Sequence, residues 1–110
     1  YEEGIQFLWD CGGFRKIWVF SDDIRMAKET FPSHLLQHVR WIGEVDDSSA
    51  ATLEAMRLGR GYVIANSTFS WWGAFLSDCE EPLVVAPNPW FTGQQEPTLL
   101  IPSNWIRIDY

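Results

Sequence analysis

The chain has little cysteine, no run of positive charge and no apolar stretch long enough to span a membrane, and each lack removes a class of function. Cys11 and Cys79 are its two cysteines. Neither sits in a pairing motif or at metal-ligand spacing, so both read as small hydrophobes in a reducing compartment rather than a disulfide. His34 and His38 stand four apart, but Pro32 precedes them and no third ligand is evident, so no metal site is expected. Glu44, Asp46 and Asp47 form a charge run that reads as a solvated loop, with no magnesium-binding constellation. Eight Lys and Arg against 15 Asp and Glu give a formal net charge of −7. With no basic cluster along the sequence, that balance argues against non-specific nucleic-acid binding and against an electrostatic grip on anionic lipids. The absence of a signal peptide or spanning segment points to a cytoplasmic or peripheral membrane location. The chain also lacks an initiator Met and reads as the interior of a longer protein.

What is present is apolar and aromatic: 46% of the 110 residues are hydrophobic, and seven are Trp. That supplies one modest α/β core. Apolar residues between Tyr1 and Trp9 suit one face of a short helix, which Gly12 and Gly13 interrupt. Lys16 to Phe20 is an aromatic and β-branched run suited to a buried strand. Asp22 and Asp23 then cap a helix over Ile24 to Phe31, stopped by Pro32 and Ser33. Val39 to Ile42 reads as a strand, Ala51 to Leu58 as a helix, Tyr62 to Ala65 as a strand, Phe69 to Leu76 as a helix and Leu83 to Ala86 as a further buried strand. Pro87 through Pro97 reads as a turn-rich surface segment, and Trp105 to Ile108 either as an edge strand or as a segment packed back onto the core. This alternation predicts an α/β fold with parallel strands and crossover helices, and places a binding crevice beyond the strands' C-terminal ends.

The most informative segment is Val63 to Leu76, where a β-type run ends in Asn66, Ser67 and Thr68 and then opens a helix. Backbone N–H groups and hydroxyls at such a junction suit an anionic group such as a nucleotide-sugar diphosphate. Capping of the next helix by Asn66, Ser67 or Thr68 is the plainer alternative. Asn66-Ser67-Thr68 also matches a glycosylation acceptor, which its position at a strand-to-helix junction disfavours. Asp22 and Asp23 sit at the corresponding end of an earlier strand and either cap the helix or accept hydrogen bonds from ligand hydroxyls or base nitrogens. Trp71 and Trp72 read chiefly as packing against the sheet. Trp90 and Phe91 are candidates for a crevice rim or a domain interface, with packing the plainer role.

Phe20-Ser-Asp-Asp-Ile-Arg-Met-Ala-Lys28 together with Ala65-Asn-Ser-Thr-Phe-Ser-Trp-Trp-Gly73 resembles the donor-side domain of the α-1,2-fucosyltransferase family, glycosyltransferase family 11. The resemblance runs from about Ile5 to Phe91. It implies a Rossmann-like parallel sheet like the C-terminal half of a two-domain GT-B enzyme, with residues 1–110 forming a partial to near-complete nucleotide-sugar-binding domain. GDP-fucose is the donor implied, with no separate cofactor, and a galactoside hydroxyl is the acceptor, reached through an N-terminal domain that this sequence lacks. Ser67, Thr68 and Phe69 match the family segment that curls around the donor diphosphate, with Asn66 and Ser70 bracing the turn and Asp22 and Asp23 as further donor-side candidates.

The sequence departs from the family pattern in four places. It has no His-x-Arg-Arg-Gly-Asp type segment, so the catalytic residues are expected elsewhere. Thr52-Leu-Glu-Ala-Met56 stands where Asp-Leu-x-Leu-Met is common, which removes an acidic contact expected at guanine or ribose. Gly61 stands where histidine is frequent, and Met26 where tryptophan is common. The alternatives are a noncatalytic nucleotide or nucleotide-sugar binding module and an Asp-based phosphoacceptor domain, the latter lacking a downstream lysine arrangement. The hydrophobic content also suggests self-association through a face that another domain covers.

Overall fold

The computed structural model describes residues 2–21, 23–42, 48–65, 67–88, 90–91, 93, 95–97 and 100–109. Helices and strands alternate along them: α1 (Glu2–Gly12), β1 (Ile17–Phe20), α2 (Ile24–Thr30), β2 (Val39–Ile42), α3 (Ser49–Met56), β3 (Gly61–Val63), α4 (Thr68–Phe75), β4 (Leu83–Asn88) and β5 (Ile106–Asp109), with a 3₁₀ helix over Ser33–His38. Every strand pairing is parallel, as the alternation of elements implies. Hydrogen bonds gather the strands into a two-stranded sheet, β1-β2, and a three-stranded sheet, β3-β4-β5. The topology is mixed α/β and consistent with a Rossmann-like arrangement.

The segment before β1 packs on the three-stranded sheet. A Cβ on Gly4 of α1 would lie 3.1 Å from the Cγ1 atoms of Val63 and Val85, so the helix backbone sits almost directly on β3 and β4. The Phe14 ring lies against Gly61, where a Cβ would come within 2.5 Å of its Cζ. Glycine at 61 thus makes room for Phe14 at the start of β3.

The central strand is β4, whose Val84, Val85 and Ala86 are wholly buried. A strand covered on both faces reads as a continuous apolar run rather than an alternating one, and each valine so buried contributes about 1.5–3 kcal/mol. Around it pack Tyr62, Ile64, Ala74, Trp90 and Trp105, with Trp71, Phe91, Leu100 and Ile101 against them. Trp90 therefore belongs to the core, and Phe91 packs on it.

Two expectations are corrected, and a third, the stop at Pro32 and Ser33, holds with an addition. β4 continues through Pro87 and Asn88, which pair with Ile108 and Asp109 of β5, although the sequence reads there as the start of a surface turn. Proline is tolerated because the β3 ladder ends at Val63↔Val85, two residues earlier, so its missing N–H deprives β3 of nothing. Pro32 and Ser33 end α2 but also open the 3₁₀ helix, which buries Leu35. Cys11 is exposed rather than buried, with its Sγ 3.0 Å from the Phe7 carbonyl, and both cysteines are free thiols.

Candidate functional site

Two strand-to-helix turns carry the candidate residues. At the end of β1, Asp23 is the N-cap of α2, its Oδ1 accepting from Met26 N at 3.1 Å, while its own N–H donates to Ser21 Oγ at 3.0 Å. Asp23 thus fills the capping role among its alternatives. At the end of β3, Ser67 is the N-cap of α4, its Oγ accepting from Ser70 N at 3.1 Å and its carbonyl accepting from Trp71 N at 3.0 Å. Ser70 Oγ lies 3.1 Å from the Ala65 carbonyl, 3.0 Å from the Ser67 carbonyl and 3.1 Å from Ser67 Oγ. That triangle braces the turn, as the motif suggests for Ser70.

Capping leaves part of the helix start open. With Ser70 N and Trp71 N satisfied, the N–H groups of Thr68 and Phe69 are first-turn donors without a partner among the described residues. Ser67, Thr68 and Phe69 are all exposed. Their hydroxyls and N–H groups suit an anionic oxygen, and neither hydroxyl is a base at neutral pH. Ser67, Thr68, Phe69 and Ser70 are brought together. Asp23 makes no hydrogen bond to them and lies at the end of the other sheet. Asp22 and Asn66 fall outside the described residues. The described residues hold no group of three His, Cys, Asp or Glu side chains fit for a metal ion.

The helix behind this turn is held on several sides. Trp71 Nε1 donates to the Leu100 carbonyl at 2.8 Å, its ring stacks on Phe75 at 4.7 Å and 11°, and Trp105 lies 5.9 Å away. Gly73 lets α3 approach, with Met56 Cβ 3.3 Å from where its own Cβ would be. Arg57 ties the C-terminal ends of α3 and α4 by donating to Glu54, to Asp78 and to the Leu76 carbonyl, and the Glu54 hydrogen bond foremost raises its pKa. Thr52 is buried and donates to the Ser48 carbonyl at 2.8 Å. Burial pushes the Tyr62 phenol up, and its hydroxyl is directed at the Met56 and Gly59 carbonyls.

A clamp that sequence reasoning did not single out lies at the same end of β4 and β5. Arg107 donates to both Glu96 oxygens, at 2.8 and 3.0 Å, and twice to the Pro87 carbonyl, at 2.7 and 3.1 Å. Glu96 also accepts from Trp90 N at 3.3 Å. The Arg107 hydrogen bond holds the Glu96 carboxyl below its usual range. No spacing rule links Glu96 to Arg107, and no local sequence signal singles out the pair.

Two cavities open at the opposite, N-terminal ends of the strands. One, of about 400 Å³, is bounded by the end of α4 and by Pro82, Asn104 and Trp105. The other, of about 360 Å³, lies beside Arg15, Lys16 and Arg40. Neither adjoins the Ser67 turn. A crevice beyond the strands' C-terminal ends is the usual ligand position in this kind of sheet, so we place the candidate site by chemistry and topology rather than by concavity.

Residues 14–109 match the model of glycosyl transferase family 11. The chain is 38% identical over 108 residues to the O-antigen biosynthesis glycosyltransferase WbnK of Escherichia coli, a match covering 98% of this chain and 35% of that protein. It is 28% identical over 111 residues to an alpha-1,2-colitosyltransferase of Escherichia coli, covering 99% of this chain and 38% of that protein. The chain thus spans little more than a third of the length of these curated relatives. No solved structure matches it significantly.

Proposed function

The chain belongs to glycosyl transferase family 11, and we propose that the protein carrying it transfers fucose from GDP-fucose to a galactoside hydroxyl, with this segment serving as the donor-binding part. The observation that carries this reading is the β3–α4 turn. It combines a capped helix, two open first-turn N–H groups and the exposed hydroxyls of Ser67 and Thr68, all within the residues that match the family. In the proposed reaction the acceptor oxygen attacks the anomeric carbon as the bond to the GDP phosphate breaks, which inverts that carbon. A general base takes the acceptor proton, and hydrogen bonds to the departing diphosphate stabilise its growing charge. Ser67, Thr68 and the open N–H groups serve that second role. The base and a phosphate-neutralising arginine are assigned to an N-terminal domain.

A second donor is favoured by one observation, the relative named for colitose. Colitose is fucose lacking one ring hydroxyl, and a hydroxyl-reading pocket discriminates such pairs strongly. The test is an assay of the whole protein with a galactoside acceptor and, in parallel, GDP-fucose, GDP-colitose and UDP-galactose. A fucosylated product formed fastest from GDP-fucose supports the reading. Preferential use of GDP-colitose replaces the donor, and transfer only from the UDP-sugar removes the GDP assignment. GDP binding without transfer from any donor favours the noncatalytic nucleotide-sugar module.

A further inference from the structure

Three of the chain's eight Lys and Arg residues converge on one cleft at the far end of the strands from the Ser67 turn. Arg15 and Lys16 precede β1, and Arg40 is the second residue of β2. With Trp18, Gln37, His38 and Val39 they line the cavity of about 360 Å³, a volume at the small end of small-molecule sites. Parallel pairing creates the cluster. The register Ile17↔Val39 and Trp18↔Arg40 sets the starts of two strands side by side, so cations far apart in sequence become neighbours. No run of basic residues announces it.

Among the described residues the lining contains no carboxylate. Elsewhere Arg57 pairs with Glu54 and Asp78, Arg107 pairs with Glu96, and Arg25 lies 4.0 Å from Glu29, while Lys28 and Arg60 stand apart from one another without an ion pair among the described residues. Arg15 and Lys16 have no ion pair among the described residues, and Arg40 makes a ring contact to Trp18 at 6.0 Å. His38 is held between the Trp9 ring, 4.6 Å away, and the Gln37 amide. Like charges gathered without counterions repel one another, and a bound anion removes that cost. Two guanidinium forks, an ammonium and an amide offer more donors than one carboxylate can accept. Phosphate oxygens match them better. An extended polyanion would also meet the rest of a chain of charge −7, whereas a small anion feels chiefly the field within a Debye length, about 10 Å at 0.1 M salt.

We propose that this cleft binds a small phosphate-bearing molecule, a phosphate ester or pyrophosphate, at a site separate from the donor turn. The test is calorimetric titration of inorganic pyrophosphate into the whole protein and three variants. The variants are Arg15→Gln/Lys16→Gln/Arg40→Gln, the charge-matched control Arg25→Gln/Lys28→Gln/Arg60→Gln, and Ser67→Ala/Thr68→Ala. All six cationic positions are on the surface, and thermal unfolding checks that each variant remains folded. Affinity should fall roughly tenfold or more in the cleft variant, with at most about a threefold change in the control and with binding retained in the Ser67/Thr68 variant. No binding to the wild type, undiminished binding in the cleft variant, or an equal fall in both charge variants overturns the proposal. Cleft-dependent binding to phosphatidylglycerol vesicles without binding to pyrophosphate would assign the cleft to a membrane instead and overturn it as well.

Discussion

Ser67 caps α4, and under the proposed function the same side chain also meets the donor diphosphate. Its Oγ accepts from Ser70 N, which uses one lone pair, and also lies 3.1 Å from Ser70 Oγ, where either hydroxyl can be the donor. Ser70 has three acceptors within reach and one proton to give, so at most one of those contacts is its own donation. When that donation goes to Ser67 Oγ, the Ser67 proton is free to turn outward while the cap persists. Thr68, next along, has its hydroxyl in no hydrogen bond among the described residues. Replacing both residues by Ala should weaken GDP binding more than it weakens folding. Loss of a charge-assisted hydrogen bond to phosphate costs about 1.5–3 kcal/mol, whereas loss of an N-cap costs about 1 kcal/mol. The two hydroxyls share one ligand, so their losses need not add. Titration calorimetry with GDP and denaturant unfolding on the same samples separate the effects; unchanged affinity beside reduced stability would leave Ser67 as a cap alone.

At the level of elements, the strands and α-helices were legible because their signals are local. β2 matches the Val39 to Ile42 reading, and α4 and α3 begin one or two residues before the expected positions, each behind a serine cap. Pro87 misled because its tolerance depends on where the β3 ladder stops, which no local pattern records. The Glu96–Arg107 clamp was hidden for the same reason, since it joins the segment after β4 to β5 across 11 residues. Its electrostatics give a pH prediction. The folded-state pKa of Glu96 is lowered, so its contribution is fully present above the ordinary glutamate range and is lost as pH falls through the lowered value. Glu96→Gln should therefore reduce stability by about 1–2 kcal/mol at neutral pH and shrink the acid-side decline. Urea unfolding from neutral to acid pH checks this: parallel stability curves for wild type and variant would refute the linkage.

For the whole molecule, charge and apolar exposure act against each other. Four of the large exposed hydrophobics fall within Phe69 to Leu76: Phe69 at 40%, Trp72 at 46%, Phe75 at 52% and Leu76 at 39%. Phe69, Trp72 and Leu76 follow the three- and four-residue steps of a single helix face, and Trp72 meets Phe75 edge-on at 5.9 Å. Such a patch favours contact with another surface. The net charge of −7 opposes contact between two copies. Salt separates these forces because it shortens the Debye length from about 10 Å at 0.1 M to about 3 Å at 1 M while leaving apolar burial intact. The 110-residue chain alone should therefore self-associate with rising concentration, and more strongly at higher salt. Trp72→Glu with Leu76→Glu should return it to monomer, since a carboxylate placed in an apolar contact loses its hydration without gaining a partner. Sedimentation velocity at two protein concentrations and two salt concentrations is the measurement. A monomer under all four conditions would mean that this face is too small to hold two copies together, and association that weakens with salt would place the contact on charged residues instead.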